Sequence, residues 1–189
     1  MTKNAKIFEL FEQASGINSD VAKVIIDTVG ETIHLEPGGT RDGPDGTDPH
    51  RKCLTGFLST DHWVSGMLAH WINHANLEGF GFDLDHWADY ISYLVYNSNG
   101  DKYDWHIDKC ESKFKPGFIR KLSVSLCLSS KEDYEGGELE LKLNDFTKSY
   151  KMDLGDVIVF PSDAAHRITP ITSGERISLV GWMGGPKFR

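Results

Sequence analysis

Two histidines, an aspartate and an arginine are the residues of this chain best suited to chemistry. His106 and Asp108 are two positions apart, and His166 and Arg176 follow in the C-terminal part. Because residues i and i+2 of a β-strand project from the same face, His106 and Asp108 can bind one metal ion from a single extended segment. With a second histidine they form a two-histidine, one-carboxylate triad. That ligand set is typical of non-haem Fe(II) oxygenases, and it leaves coordination positions open for a co-substrate and O₂.

Arg176 supplies what an anionic, metal-chelating co-substrate needs at its far end. A guanidinium presents paired N–H donors in one plane, and these match the two oxygens of a carboxylate. A histidine and an aspartate two positions apart are weak evidence on their own, because most such pairs lie on protein surfaces. The ordered set of four residues, each on a β-like segment, predicts an iron-dependent oxygenase.

His70 and His74 form a rival metal-binding pair. They are four positions apart on a predicted helix, a spacing that can bind zinc. The glutamate of the HExxH motif is missing between them. We therefore interpret both histidines as surface or packing residues.

Composition limits the classes of function. The 189 residues suit one domain, and the net charge of −8 disfavours the attraction to phosphate on which nucleic-acid binding rests. The three cysteines, Cys53, Cys110 and Cys127, share no CxxC spacing and are expected to be free thiols in a reducing compartment. We find no signal-like N-terminus and no apolar run of membrane-spanning length. These features predict a cytoplasmic protein that binds neither nucleic acid nor membranes.

The elements that must position the four residues change along the chain. Helices are predicted at 19–29, capped by Ser19 or Asp20, and from a cap in residues 59–61 to about residue 76. The turn-rich segment 37–49 is either an active-site lid or an ordinary surface loop. Short strands of this number and spacing indicate a sandwich or jelly roll, with the helices covering one sheet. The predicted strands are 91–96, 103–108, 118–128, 138–143, 147–152, 157–160, 166–169 and 176–182.

Several further motifs surround the four residues in a fixed order. Together they resemble the 2-oxoglutarate- and Fe(II)-dependent oxygenases of the prolyl 4-hydroxylase type, most closely the bacterial PKHD-type hydroxylases. The resemblance extends from about residue 51 to residue 182. Its motifs lie at 96–108, 120–126, 134–139, 155–162, 166, 172–176 and 181–182.

The resemblance implies an α+β fold with a mainly β core, a double-stranded β-helix (jelly roll), and N-terminal helices packed on one sheet. It implies one domain over 1–189, in which 1–80 form a helical support and 81–189 the catalytic core. The iron would lie inside the mouth of the jelly roll.

The resemblance also implies roles for individual residues. The triad would bind Fe(II), and Arg176 would hold the remote carboxylate of 2-oxoglutarate. Tyr96 matches a position whose phenol binds that co-substrate in relatives, and Ser178 matches the serine of an Arg-x-Ser pair. Cys127 departs from the pattern, because some animal prolyl hydroxylases carry a second co-substrate-binding tyrosine there.

The implied reaction inserts oxygen from O₂ into an unactivated C–H bond and releases succinate and CO₂, with ascorbate as a candidate reductant. The implied substrate is a prolyl residue of a peptide or protein, and the alternative is a free amino acid or small metabolite. Nucleic-acid demethylation is less favoured, because related demethylases carry an arginine where this chain has Trp182. Two other classes stay open, a non-catalytic metal-bearing jelly-roll binding module and a hydrolase built on the same triad.

Overall fold

A computed structural model describes residues 10–39, 49–143 and 146–188. Residues 40–48, which make up most of the predicted loop or lid at 37–49, lie outside the described residues. No helix in the described part is both long enough and apolar enough to cross a bilayer.

The described residues form two α-helices and fourteen strands. The helices are α1 (Ser19–Ile25) and α2 (Trp63–Ala75), and each continues into a π-helical segment, Ile26–Gly30 and Asn76–Phe80. The strands are β1 (Phe11–Gln13), β2 (Glu36–Pro37), β3 (Arg51–Lys52), β4 (Leu54–Leu58), β5 (His86–Trp87), β6 (Ile91–Asn97), β7 (Lys102–His106), β8 (Phe118–Cys127), β9 (Tyr134–Gly136), β10 (Leu139–Leu143), β11 (Phe146–Tyr150), β12 (Val157–Pro161), β13 (His166–Ile168) and β14 (Ile171–Pro186).

These strands form two antiparallel sheets. The major sheet has the order β1-β12-β8-β14-β6-β4-β2, and β5 and β9 also pair with β14. The minor sheet has the order β11-β10-β13-β7-β3. Strands from distant parts of the chain alternate within each sheet, as in a jelly roll. This mainly β architecture confirms the predicted fold class.

Strand β8 shows how the sequence separates the two faces of the major sheet. Leu122, Val124 and Leu126 belong to the core that includes the helices. Ser123 and Cys127, at intervening positions, are buried but lie outside that cluster. Because side chains alternate along a strand, one face of β8 packs under α2 and the other faces the space between the sheets.

Helix α2 covers the major sheet, as predicted. Its buried residues include Val64, Leu68 and Ile72, which recur at helical spacing and join the core. The N-cap differs from the prediction: His62 Nδ1 accepts the Val64 N–H at 3.4 Å, so the helix begins after residues 59–61. Helix α1 is capped similarly by Asn18, since Ser19 is already helical.

Strand β4 is the main element that the sequence pattern did not predict. Leu54–Leu58 contains Gly56 and lacks a clean alternation of apolar and polar residues, which weakens a strand prediction. The segment pairs along its whole length with β6. Pairing within the sheet therefore decides its conformation.

Candidate metal centre

Neighbouring strands of the minor sheet bring the two histidines together. His106 is the last residue of β7, His166 is the first of β13, and the two residues are paired in the antiparallel register. Asp108 lies two residues beyond β7, so the strand predicted at 103–108 ends early. It ends there because its partner β13 begins at His166. The alternation of buried and exposed side chains continues beyond the end of β7, since Asp108 is 7% exposed and Ile107 is 53% exposed.

The ligand atoms of the triad converge. His106 Nε2 lies 3.7 Å from Asp108 Oδ1, and His166 Nε2 lies 3.4 Å from Asp108 Oδ2. One ligand atom from each residue lies within 4.8 Å of the others. Donor atoms that bind one ion at about 2.0–2.2 Å lie at most about 4.4 Å apart, and both measured separations from Asp108 are within that limit. Among the described residues, no other group of three such side chains converges in this way.

Backbone carbonyls orient both imidazole rings. His106 Nδ1 lies 2.8 Å from Asp104 O, and His166 Nδ1 lies 3.0 Å from Ala164 O. A carbonyl oxygen only accepts, so each ring donates from Nδ1 and offers its Nε2 lone pair to a metal. Burial and the nearby His166 lower the pKa of His106 to about 4, which keeps this ring neutral near pH 7.

A serine pair holds the carboxylate ligand. Ser123 Oγ donates to Asp108 Oδ2 at 2.8 Å and lies 3.0 Å from Ser162 Oγ. Burial alone would raise the pKa of Asp108, but the two histidines, Trp182 and Ser123 together lower it. The carboxylate is therefore kept ionised, as a metal ligand must be.

Arg176 lies in β14, opposite Tyr96 of β6, and is 1% exposed. Its Nη1 donates to Ser178 Oγ at 3.1 Å, and its Nη2 reaches Met152 Sδ at 3.6 Å. The buried Nε has no partner, and no acidic side chain of the described part forms an ion pair with this guanidinium. A buried, unpaired charge is costly. The site therefore fits an anion supplied by a ligand.

One cavity of about 840 Å³ joins the triad to Arg176. All six residues predicted for the site line it. Tyr96 is 1% exposed, and burial raises its pKa, so the phenol stays protonated. Apolar and aromatic side chains complete the wall: Leu94, Tyr103, Leu139, Phe160, Ile168, Val180 and Trp182.

Two residues that the sequence analysis did not single out also belong to the site. Ser123 could have been found from the alternation of serine with apolar residues in β8, which marks a buried polar face. Arg51 of β3 lines the cavity, and no motif in the sequence signals it.

Cys127 does not line the cavity, and its thiol donates to Ser129 O at 3.3 Å. Cys127 therefore supplies no contact from the cavity wall at the position where the resemblance implies a tyrosine in some animal relatives.

His70 and His74 do not form a metal site with other described residues. Their rings stack with centroids 6.2 Å apart on the exposed side of α2. Within the described residues, no third ligand joins them.

The chain is similar in sequence to known proteins. A family model described as the 2OG-Fe(II) oxygenase superfamily matches residues 91–184. A PKHD-type hydroxylase of Hyphomonas neptunium is 42% identical over 88 residues, which cover 46% of this chain and 39% of that protein. Another from Synechococcus sp. is 43% identical over 84 residues, 44% of this chain and 36% of the relative. The matched segment thus spans less than two-fifths of these relatives.

Solved structures share the fold over nearly the whole chain. A Pseudomonas putida prolyl-4-hydroxylase aligns with a TM-score of 0.69 and 21% identity, covering 95% of this chain and 94% of that one. A prolyl hydroxylase from Trichoplax adhaerens, in complex with a peptide fragment of the hypoxia inducible factor oxygen degradation domain, gives a TM-score of 0.71 and 14% identity. That alignment covers 93% of this chain and 83% of the other.

Proposed function

Because this chain belongs to the 2OG-Fe(II) oxygenase superfamily, we propose that it is an Fe(II)- and 2-oxoglutarate-dependent dioxygenase. It hydroxylates an unactivated C–H bond and releases succinate and CO₂. The proposed substrate is a prolyl residue of a peptide or protein.

One observation carries this proposal. A two-histidine, one-carboxylate triad and a buried arginine without an acidic partner share a single cavity. The triad suits non-haem Fe(II), and the arginine suits the free carboxylate of a chelating keto acid. A structural metal site would require no guanidinium in this position.

His106, Asp108 and His166 would hold the iron. Bound iron, together with 2-oxoglutarate and O₂, supplies the oxidising chemistry that the side chains lack. The chain contributes rigidity: the carbonyls of Asp104 and Ala164 fix the two rings, and Ser123 fixes the carboxylate. No side chain has to transfer a proton to the reacting carbon.

Arg176 and its neighbours would bind the co-substrate. The guanidinium offers paired donors to the remote carboxylate, and Ser178 holds Nη1 in place. The ring of Tyr96 lies 5.8 Å from the guanidinium carbon, and Tyr96, whose phenol stays protonated, lines the same cavity. Apolar walls exclude water, which strengthens these charged contacts.

The wall of the cavity next to the carboxylate ligand supports a compact cyclic substrate group. Arg120 stacks on Trp182 with its guanidinium carbon 3.9 Å from the ring, and Nη2 of Arg120 donates to Asp89 Oδ2 at 2.6 Å. A flat indole and a fixed guanidinium provide an apolar surface with a polar edge. The pyrrolidine ring of a prolyl residue, with its peptide carbonyl, matches both features.

The proposal is tested by loading the protein with Fe(II) and 2-oxoglutarate under anaerobic conditions and then admitting O₂. Proline-containing peptides and free amino acids are screened by mass spectrometry for one added oxygen atom, and succinate is measured in parallel. We expect substrate-stimulated succinate formation that is lost in the variants His106→Ala, Asp108→Ala and His166→Ala. His74→Ala, which removes an exposed histidine outside the site, should retain it.

The same assay separates the other classes of function. A non-catalytic binding module would bind metal without forming succinate. A hydrolase would have an activity that does not depend on 2-oxoglutarate. Undiminished turnover in any triad variant would contradict the ligand assignment.

A further inference from the structure

Besides Arg120 and Arg176, a third arginine, Arg51, lines the cavity near the triad. Arg51 of β3 is paired with Tyr103 of β7, and its guanidinium carbon lies 4.9 Å from the centroid of that ring. The ring of Tyr103 in turn stacks on the ring of His106, with centroids 3.6 Å apart and planes 15° apart. The ring of Tyr103 thus contacts both the guanidinium and a metal ligand.

The donors of Arg51 are only partly used. Nη2 donates to Thr55 Oγ1 at 3.1 Å, which fixes the plane of the guanidinium. The buried Nε has no hydrogen-bond partner, and the Cys53 thiol is a close polar neighbour of the guanidinium. In the described part of the chain the arginine ion pairs are those of Arg120 and Arg167, so no acidic side chain there pairs with Arg51. Lys113 and Arg120, two other cations of the wall, differ from Arg51 in their ion pairing, because both pair with Asp89, although the Nε of Arg120 also lacks a hydrogen-bond partner.

The charges around the cavity favour a further anion. A divalent metal ion, Arg51 and Arg176 bring four positive charges, against one negative charge on Asp108. A doubly charged co-substrate would leave one positive charge uncompensated. Among the residues that the structure describes, the remaining charged side chains of the wall are two cations and two carboxylates, and these add no net charge.

We propose that Arg51 is a second carboxylate-binding residue of this cavity, acting beside the metal ligands. This inference rests on the proposed function. The carboxylate belongs either to the metal-chelating end of the co-substrate or to an acidic group of the substrate. Both sources present the same chemistry to the guanidinium, and binding measurements distinguish them.

The test uses protein loaded with Mn(II), so that binding is measured without turnover. Calorimetry compares wild-type protein with Arg51→Gln, which removes the charge, and Arg51→Lys, which keeps it. Lys52→Gln is the matched control, because it removes a neighbouring cation whose Nζ contacts Asn99 O and pairs with Asp101, both outside the cavity lining. Thermal unfolding checks that each variant is folded.

The first arm measures binding of 2-oxoglutarate and of pyruvate, a keto acid that lacks the remote carboxylate. If Arg51 holds the chelating carboxylate, Arg51→Gln weakens both ligands about tenfold or more, the size of one charged hydrogen bond. Arg51→Lys should recover part of this loss. Arg176→Gln should weaken 2-oxoglutarate alone.

The second arm keeps 2-oxoglutarate saturating and adds free amino acids, each beside its amide, beginning with L-proline and L-prolinamide. If the substrate carries the carboxylate, wild-type protein binds an acid more tightly than its amide, and Arg51→Gln removes the difference. Unchanged 2-oxoglutarate and pyruvate affinities, with no acid bound more tightly by wild type than by Arg51→Gln, would overturn the inference. Failure of the proposed function looks different, because wild-type protein would then show no metal-dependent 2-oxoglutarate binding.

Discussion

Replacing Arg176 with lysine isolates the contribution of the planar guanidinium. The charge remains, but an ammonium cannot present two parallel donors to one carboxylate, and the hydrogen bond to Ser178 is lost. Each hydrogen bond to a charged group contributes about 1.5–3 kcal/mol. Losing one of the two therefore weakens 2-oxoglutarate binding about 10- to 150-fold, at about 1.4 kcal/mol per factor of ten.

The assay is calorimetric titration of the Mn(II)-loaded protein with 2-oxoglutarate and with pyruvate. Pyruvate lacks the carboxylate that Arg176 would hold, so its affinity should be the same in wild type and Arg176→Lys. Circular dichroism should show the same fold in both. Equal weakening of the two ligands, or no weakening of either, would refute the role assigned to Arg176.

Three further predictions concern the support of the site and the fold. Ser123→Ala should lower metal affinity about 10- to 100-fold, because the carboxylate ligand Asp108 loses its hydrogen bond. The control Ser65→Ala, which changes a buried serine of α2, should leave the metal affinity unchanged. Equal affinities of the two variants in a metal titration would contradict this. Leu68→Ala should lower the free energy of unfolding by about 2–5 kcal/mol in urea, because the side chain is fully buried, and a loss below 1 kcal/mol would argue against tight packing there. Gly174→Ala should destabilise the protein more than Gly100→Ala. Both glycines have positive φ, but only at Gly174 would an added methyl group overlap a backbone carbonyl oxygen. Equal melting temperatures of the two variants would exclude that clash.

Much of the fold was predictable because its strands carry clear patterns. In β6, β8 and β12, runs of apolar and β-branched residues are separated by turn residues, and observed bounds agree with prediction within a residue or two. The helix caps were harder to predict. Several polar residues precede each helix, and only the folded backbone decides which side chain reaches a free N–H.

The short strands could not be predicted from the sequence. β3 and β5 contain two residues each, and β4 carries a glycine. Such segments have no period of their own and become strands only when a neighbouring strand pairs with them.

The predicted site residues were recognisable because metal ligands need particular side chains at particular spacings. Their support was less visible. Ser123 could be inferred only by assigning a function to one face of β8. Arg51 follows a turn-rich segment and enters the cavity through the pairing of β3 with β7, a contact between distant parts of the sequence.

Anaerobic titration with Fe(II) tests most directly whether the triad is a metal centre. Wild-type protein should bind one ion per chain, and a variant in which His106, Asp108 and His166 are all alanine should bind none while keeping its circular dichroism spectrum. Binding of one ion by the folded triple variant, with the wild-type affinity, would contradict the account.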